Sequence, residues 1–148
     1  NMSLKETLNN DIKTAMKAKD KETLAVLRMI KTSVQAVEID KKEELNAEEE
    51  LTILAREAKQ RRESLAEFVK AGRDELVAKT EAEIEIVERY LPKQLSVEEV
   101  KEVIATVAEK IGATTQKEFG KLMGAVMQEL KGKADGNVIK EQVKAHLG

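Results

Sequence analysis

Apolar residues recur every three or four positions along nearly the whole chain, the spacing that gathers them on one face of an α-helix. Leu4, Leu8, Ile12 and Ala15/Met16 form the first such stripe. Ser3 stands before it and Glu6 three residues on, a capping box in which each side chain satisfies the other's free backbone N–H. A second stripe, Leu24, Leu27, Ile30, Val34 and Val37, predicts a helix from about Lys21 to Ile39. The charged stretch Asp40 to Glu44 separates it from a third helix, opened by Asn46 with Glu49. That helix is expected to bury Leu51, Leu54/Ala55, Ala58, Leu65 and Phe68/Val69, with Gly72 placed to end it in a left-handed cap. A fourth follows Asp74 on Leu76, Ile84, Val87 and Leu91, and Pro92 stops it.

The second half repeats this grammar. Ser96 with Glu99 caps a fifth helix on Val97, Val100, Ile104, Val107 and Ile111, closed by Gly112. Thr115 with Glu118 caps a sixth on Phe119, Leu122, Met123, Val126 and Leu130, closed by Gly132. Asp135-Gly136 leads into a seventh carrying Ile139, Val143 and Leu147. No segment alternates as a half-buried strand does. The expected fold is all-α, with about four helices in an N-terminal domain, residues 2–92, and three in a C-terminal domain, residues 97–148. The only proline, within Leu91-Pro-Lys-Gln-Leu-Ser96, marks the boundary.

Composition then narrows the chemistry. The chain of 148 residues has no cysteine, which excludes disulfides, thiolate nucleophiles and zinc–thiolate sites. Its single histidine, His146, argues against triads and His-rich metal cages, and lies near the chain end, where fraying is expected. With 28 acidic residues on helices, carboxylate pairs arise by coincidence and read as solvated faces. Gly132-Lys133 lacks the upstream glycine and the following Ser/Thr of a phosphate loop. The residues argue against an autonomous enzyme, and neither cofactor nor metal is expected. The longest apolar runs, such as Val103 to Ala108, fall far short of the roughly 20 residues of a membrane span. No signal-peptide pattern is visible, so the expected setting is cytoplasmic, with no membrane partner.

Charge is unevenly spread. The net −2 averages over residues 2–92, with 17 basic and 20 acidic side chains, and residues 93–148, with 9 and 8. From Lys110 onward there are 7 basic against 4 acidic. In the third helix, Glu57/Arg61 and Lys59/Glu63 stand four apart and can pair along a solvated face. Arg56 and Arg62 have no such intrahelical partner and form a secondary basic patch.

The sixth helix is the most informative. Opposite its apolar stripe lie Lys117, Gly120, Lys121, Gly124, Gln128 and Lys131. A mid-helix glycine costs about 1 kcal/mol relative to alanine, so two of them on one face call for a neighbour that comes close to the backbone. That neighbour is either another helix of this chain, a partner helix, or a phosphodiester backbone. Gly132, Lys133 and Lys140 extend the surface toward the start of the last helix, whose free N–H groups favour anions. With only Phe68, Tyr90 and Phe119 as aromatics, base stacking of the single-strand type is implausible, and structured RNA gripped by shape fits better.

Gly120-Lys-Leu-Met-Gly-Ala-Val-Met127 followed by Lys131-Gly-Lys-Ala-Asp-Gly-Asn-Val138 is similar to the tail of the B subunit of tRNA-dependent glutamyl/aspartyl amidotransferase (GatB). Leu27-Arg-Met-Ile-Lys31, Lys59-Gln-Arg-Arg-Glu63, Ala71-Gly-Arg73 and Tyr90-Leu-Pro-Lys-Gln-Leu-Ser96 resemble the bacterial YqeY proteins, which carry that tail behind a helical N-terminal domain. The resemblance implies a non-catalytic helical module that binds tRNA or a tRNA–enzyme complex, with an aminoacyl-tRNA amidotransferase or synthetase as protein partner. It implies a tRNA-facing surface of Lys117, Gly120, Lys121, Gly124, Lys131, Gly132 and Lys133, to which the anion argument adds Lys140. A protein–protein module using the Gly120/Gly124 face is the alternative. Carbon–nitrogen ligase activity with glutamine as amido-N donor is a third, implied by family name only.

Overall fold

Side-chain caps set most of the helix starts. The Ser3 hydroxyl accepts the Glu6 N–H at 3.2 Å and opens α1 (Leu4–Lys17). The Asp20 carboxylate accepts the Thr23 N–H at 3.1 Å ahead of α2 (Lys21–Lys41). Asn46 and Glu49 form a reciprocal box before α3 (Ala47–Lys70), as do Ser96 and Glu99 before α5 (Val97–Ile111). The arrangement comes from a computed structural model that describes residues 2–148. Among these, every regular element is helical: α4 spans Asp74–Glu88, a 3-10 turn Gln116–Glu118 precedes α6 (Phe119–Leu130), and α7 spans Gly136–His146. The all-α expectation holds. No helix among the described residues is long and apolar enough to cross a membrane.

The chain divides into two units, Asn1–Leu91 and Pro92–Gly148. In the first, α3 and α4 share the largest helix–helix contact, and α1 packs on α2. Leu8, Val26, Leu27, Ile30, Ala58 and Val87 lie fully inside. Fully burying a side chain of the Val or Leu type contributes about 1.5–3 kcal/mol, so these few residues carry much of the unit's stability.

The face that α3 turns inward differs from the expected one. Ile53, Leu54, Glu57, Ala58 and Arg61 are its buried residues, whereas Val69 is 60% exposed. Glu57 and Arg61, read from sequence as a solvated pair, are inside. Arg61 Nη1 donates to the Glu57 carboxylate at 2.9 Å and to the Glu57 carbonyl at 3.2 Å. Its Nε stands 3.6 Å from the Glu83 carboxylate on α4, and the Ser33 hydroxyl on α2 donates to the far oxygen of Glu57 at 3.3 Å. Charge matching makes this burial tolerable, because the pairing offsets part of the desolvation penalty, although Arg61 Nε is left without a hydrogen-bond partner among the described residues.

The second unit buries Val100, Ile104, Leu122, Val126, Ile139 and Val143 between α5, α6 and α7. Residues 93–96 belong to this unit. The Leu95 N–H donates to the Lys133 carbonyl at 2.8 Å, and the Gln94 amide donates to the Gly132 carbonyl at 2.7 Å. The expectation of a frayed end is corrected: Leu147 is buried, the Gly148 N–H donates to the Thr114 carbonyl at 3.1 Å, and the Gln116 N–H donates to the Gly148 carbonyl at 3.2 Å. His146 closes α7 just before this clamp, with an exposed side chain.

Candidate nucleic-acid interface

The lysine-bearing face is built by the entry into α6. The Thr114 and Thr115 N–H groups donate to the Glu118 carboxylate at 3.0 and 3.2 Å, which fixes the 3-10 turn carrying Lys117. These backbone donors, with a smaller contribution from nearby Lys121, hold the Glu118 carboxyl below the ordinary glutamate range. Leu122, Val126 and Leu130 then anchor α6 inward. That phase sends Gly120, Lys121, Gly124 and Gln128 outward, all exposed, one helical turn apart in pairs.

A Cβ built at Gly120 or Gly124 meets nothing within 4 Å. The reading in which these glycines admit a neighbouring helix of their own unit is therefore overturned. Among the described residues, Lys117, Lys121, Lys133 and Lys140 enter no ion pair. All four are exposed.

The turn between α6 and α7 does different work from the open face. Lys131 is half-buried, and its N–H donates to the Met127 carbonyl at 3.0 Å. Gly132 is buried at φ +77°, a left-handed conformation that favours glycine, and its carbonyl receives the Gln94 amide. Gly132 thus shapes the turn rather than offering bare backbone to a ligand. The Asp135 carboxylate accepts the Asn137 N–H at 2.9 Å, so the first turn of α7 already holds an anion of its own.

The secondary patch comes apart in the fold. Arg56 is exposed on α3, whereas Arg62 Nη2 donates to the Glu88 carboxylate on α4 at 2.8 Å. Helical spacing sees only partners three or four residues away, and Glu88 is 26 residues on.

Sequence reasoning also passed over Lys93, Leu95 and Val103, which join Gln128, Glu129 and Lys133 around one groove of the second unit. It likewise missed Asp11, whose carboxylate receives the Tyr90 hydroxyl in the first. Both arrangements come from long-range contacts, for which periodicity has no signal.

Fold and site together define a small two-unit helical protein with an open, lysine-lined helix face in its second unit. The chain belongs to the YqeY family: the family described as Yqey-like protein matches residues 5–147. It is 32% identical to "Altered inheritance of mitochondria protein 41, mitochondrial" of Kluyveromyces lactis, over 93% of this chain and 72% of that protein. Proteins of the same name from Candida glabrata and Pyrenophora tritici-repentis are 28% and 25% identical, over 94% and 95% of this chain and 75% and 79% of theirs. These relatives are mitochondrial proteins of fungi, which overturns the cytoplasmic setting and the bacterial source expected from the sequence. A missing leader pattern was the only ground for that setting, and core-forming periodicity carries no information about compartment.

Proposed function

We propose that the chain binds structured RNA of the tRNA class through the face formed by Lys117, Gly120, Lys121 and Gly124, extended by Lys133 and Lys140. The observation that carries this reading is the pairing of two uncovered glycines with lysines that have no ion-pair partner. Bare helix backbone lets a bulky ligand approach closely. Ammonium groups beside it suit phosphate oxygens, which position a nucleic acid without reading its sequence. The ligand would be recognised by shape and 2′-hydroxyls, as duplex RNA generally is. The similarity of Gly120–Met127 and Lys131–Val138 to the GatB tail supports the same reading.

The test is a titration with total and mitochondrial tRNA at two salt concentrations, comparing wild type with Lys117→Glu and Lys121→Glu. Three to five phosphate contacts give a log–log salt slope of about −3 to −4. Absence of binding at low salt, or binding indifferent to both reversals, sinks the reading. A protein partner is the competing occupant of the same uncovered backbone. It would be marked by loss of a co-purifying protein on Gly124→Leu while the lysine reversals change little.

A further inference from the structure

The second unit contains a groove of about 520 Å³ between the residue 92–95 segment, α5 and the end of α6. That volume lies within the range of small-ligand clefts, ~300–1,000 Å³. It shares Gln128 and Lys133 with the lysine face, so a ligand lying on that face reaches its mouth. The walls are aliphatic: Leu95 and Val103 are half-buried there, and Leu130, 1% exposed, forms part of the floor. Lys93 and Lys133 supply two cations at the rim, both exposed. Gln128 and Glu129 supply the remaining polar groups.

This combination matches a molecule with a flat apolar body, a polar edge and an anionic tail. We infer that the groove receives one unstacked nucleotide of the bound RNA, with preference for a base that carries an exocyclic amino group. The inference rests on the RNA reading above. Unpaired nucleotides are the part of a folded RNA whose bases can be splayed out and read on their edges. With no aromatic side chain lining the groove, the base lies against Leu95 and Val103 instead of stacking. Lys93 and Lys133 face its phosphate.

The edge preference follows from donor and acceptor counts. The Glu129 carboxylate only accepts hydrogen bonds, whereas the Gln128 carboxamide both donates and accepts. An exocyclic amino group satisfies Glu129, and the adjacent ring nitrogen of adenine can accept from Gln128. Uracil has a carbonyl in place of that amino group and only its ring N3–H to donate, so it offers Glu129 a single donor where the amino group offers two. Of the charged groups lining the groove, Lys93 and Lys133 outweigh Glu129, so an anionic nucleotide is still attracted.

The experiment uses the full chain, isotope-labelled for amide NMR, with adenosine 5′-monophosphate, uridine 5′-monophosphate and inorganic phosphate as separate probes. Adenosine monophosphate is expected to shift the amides of Leu95, Val103 and Gln128, and to bind about fivefold or more tightly than the uridine nucleotide. Gln128→Ala, a surface change that leaves the core intact, should weaken adenosine monophosphate, and Val103→Phe should fill the groove and exclude it. Lys117→Glu/Lys121→Glu should retain the nucleotide shifts while losing tRNA. The inference is overturned if adenosine monophosphate leaves the groove amides unmoved, if both nucleotides bind equally, or if phosphate alone gives the same shifts. Wild type that binds tRNA without a groove response sinks the inference alone. A groove that takes adenosine monophosphate in a protein that ignores tRNA sinks the RNA reading and leaves a mononucleotide site.

Discussion

Arg61 and Glu57 face one another across one turn of α3 with 2.9 Å between guanidinium nitrogen and carboxylate oxygen, and both lie inside the first unit. Ser33 and Glu83 complete the set, so three helices converge on one buried pair of opposite charges. A buried ion left without its partner is far more costly than a pair replaced whole. Arg61→Met is therefore expected to lose about 3–5 kcal/mol of unfolding free energy, and Glu57→Leu a comparable amount. The double variant should lose much less than the sum. Urea unfolding of all four proteins gives the coupling directly, and strict additivity would place the two residues in independent surroundings.

Tyr90 offers a second readout, because it is the chain's one tyrosine. Its hydroxyl donates to the Asp11 carboxylate. Burial first, and then Asp11's hydrogen bond and charge, push its pKa well above the ordinary value of 10. The folded state thus keeps a proton that the unfolded chain releases near pH 10, and stability falls as pH rises above that point. Tyrosinate absorbance should show a native midpoint well above the one in concentrated urea. Tyr90→Phe should flatten the alkaline loss of stability. Equal midpoints in the native and unfolded chains would contradict the half-buried, hydrogen-bonded hydroxyl.

At the acidic end the caps dominate. Glu49 and Glu99 are held below the ordinary glutamate range first by the backbone N–H of their cap residues, Asn46 and Ser96. A lowered folded pKa contributes stability that is complete above the unfolded value of 4.5 and is lost as pH falls from there through the folded value. Between about pH 6 and pH 3, the thermal midpoint of wild type should fall more steeply than that of Glu99→Gln, whose carboxamide keeps an acceptor but does not titrate. Parallel curves would remove Glu99 from the account.

Gly124→Ala separates stability from binding. The new methyl group meets nothing within 4 Å, and alanine in a helix interior is favoured over glycine by about 0.5–1 kcal/mol. Thermal unfolding should therefore show a more stable second unit. On the RNA reading, the same methyl group stands off the phosphate backbone and weakens tRNA several-fold. A variant that is more stable and binds tRNA unchanged would show that close approach at this glycine is not needed.

The helices were legible in the sequence because their signals are local. Ser3/Glu6, Asn46/Glu49 and Ser96/Glu99 are four-residue patterns, and the structure forms each as a reciprocal box. The outward phase of Gly120, Lys121 and Gly124 was legible for the same reason, since Leu122, Val126 and Leu130 fix it by spacing alone. The inward turn of Arg61 was not. Assigning charge to the solvent side is a sound rule for unpaired ions, and it fails where Glu57 and Glu83 flank one guanidinium and Ser33 donates to Glu57 in turn. Arg62 with Glu88 and Tyr90 with Asp11 lie 26 and 79 residues apart, so only the folded chain brings them together.

The two uncovered glycines also change how α6 should move. Elsewhere on a helix a side chain shields the hydrogen-bonded backbone from water; at Gly120 and Gly124 that shield is missing, and local opening becomes easier. Amide protons in this stretch of α6 should be the first in the second unit's helices to exchange with solvent. A ligand settling there takes the place of the absent side chains, so its arrival should be visible as slowed exchange along a single turn. The softest part of the unit would then be the part its ligand makes firm.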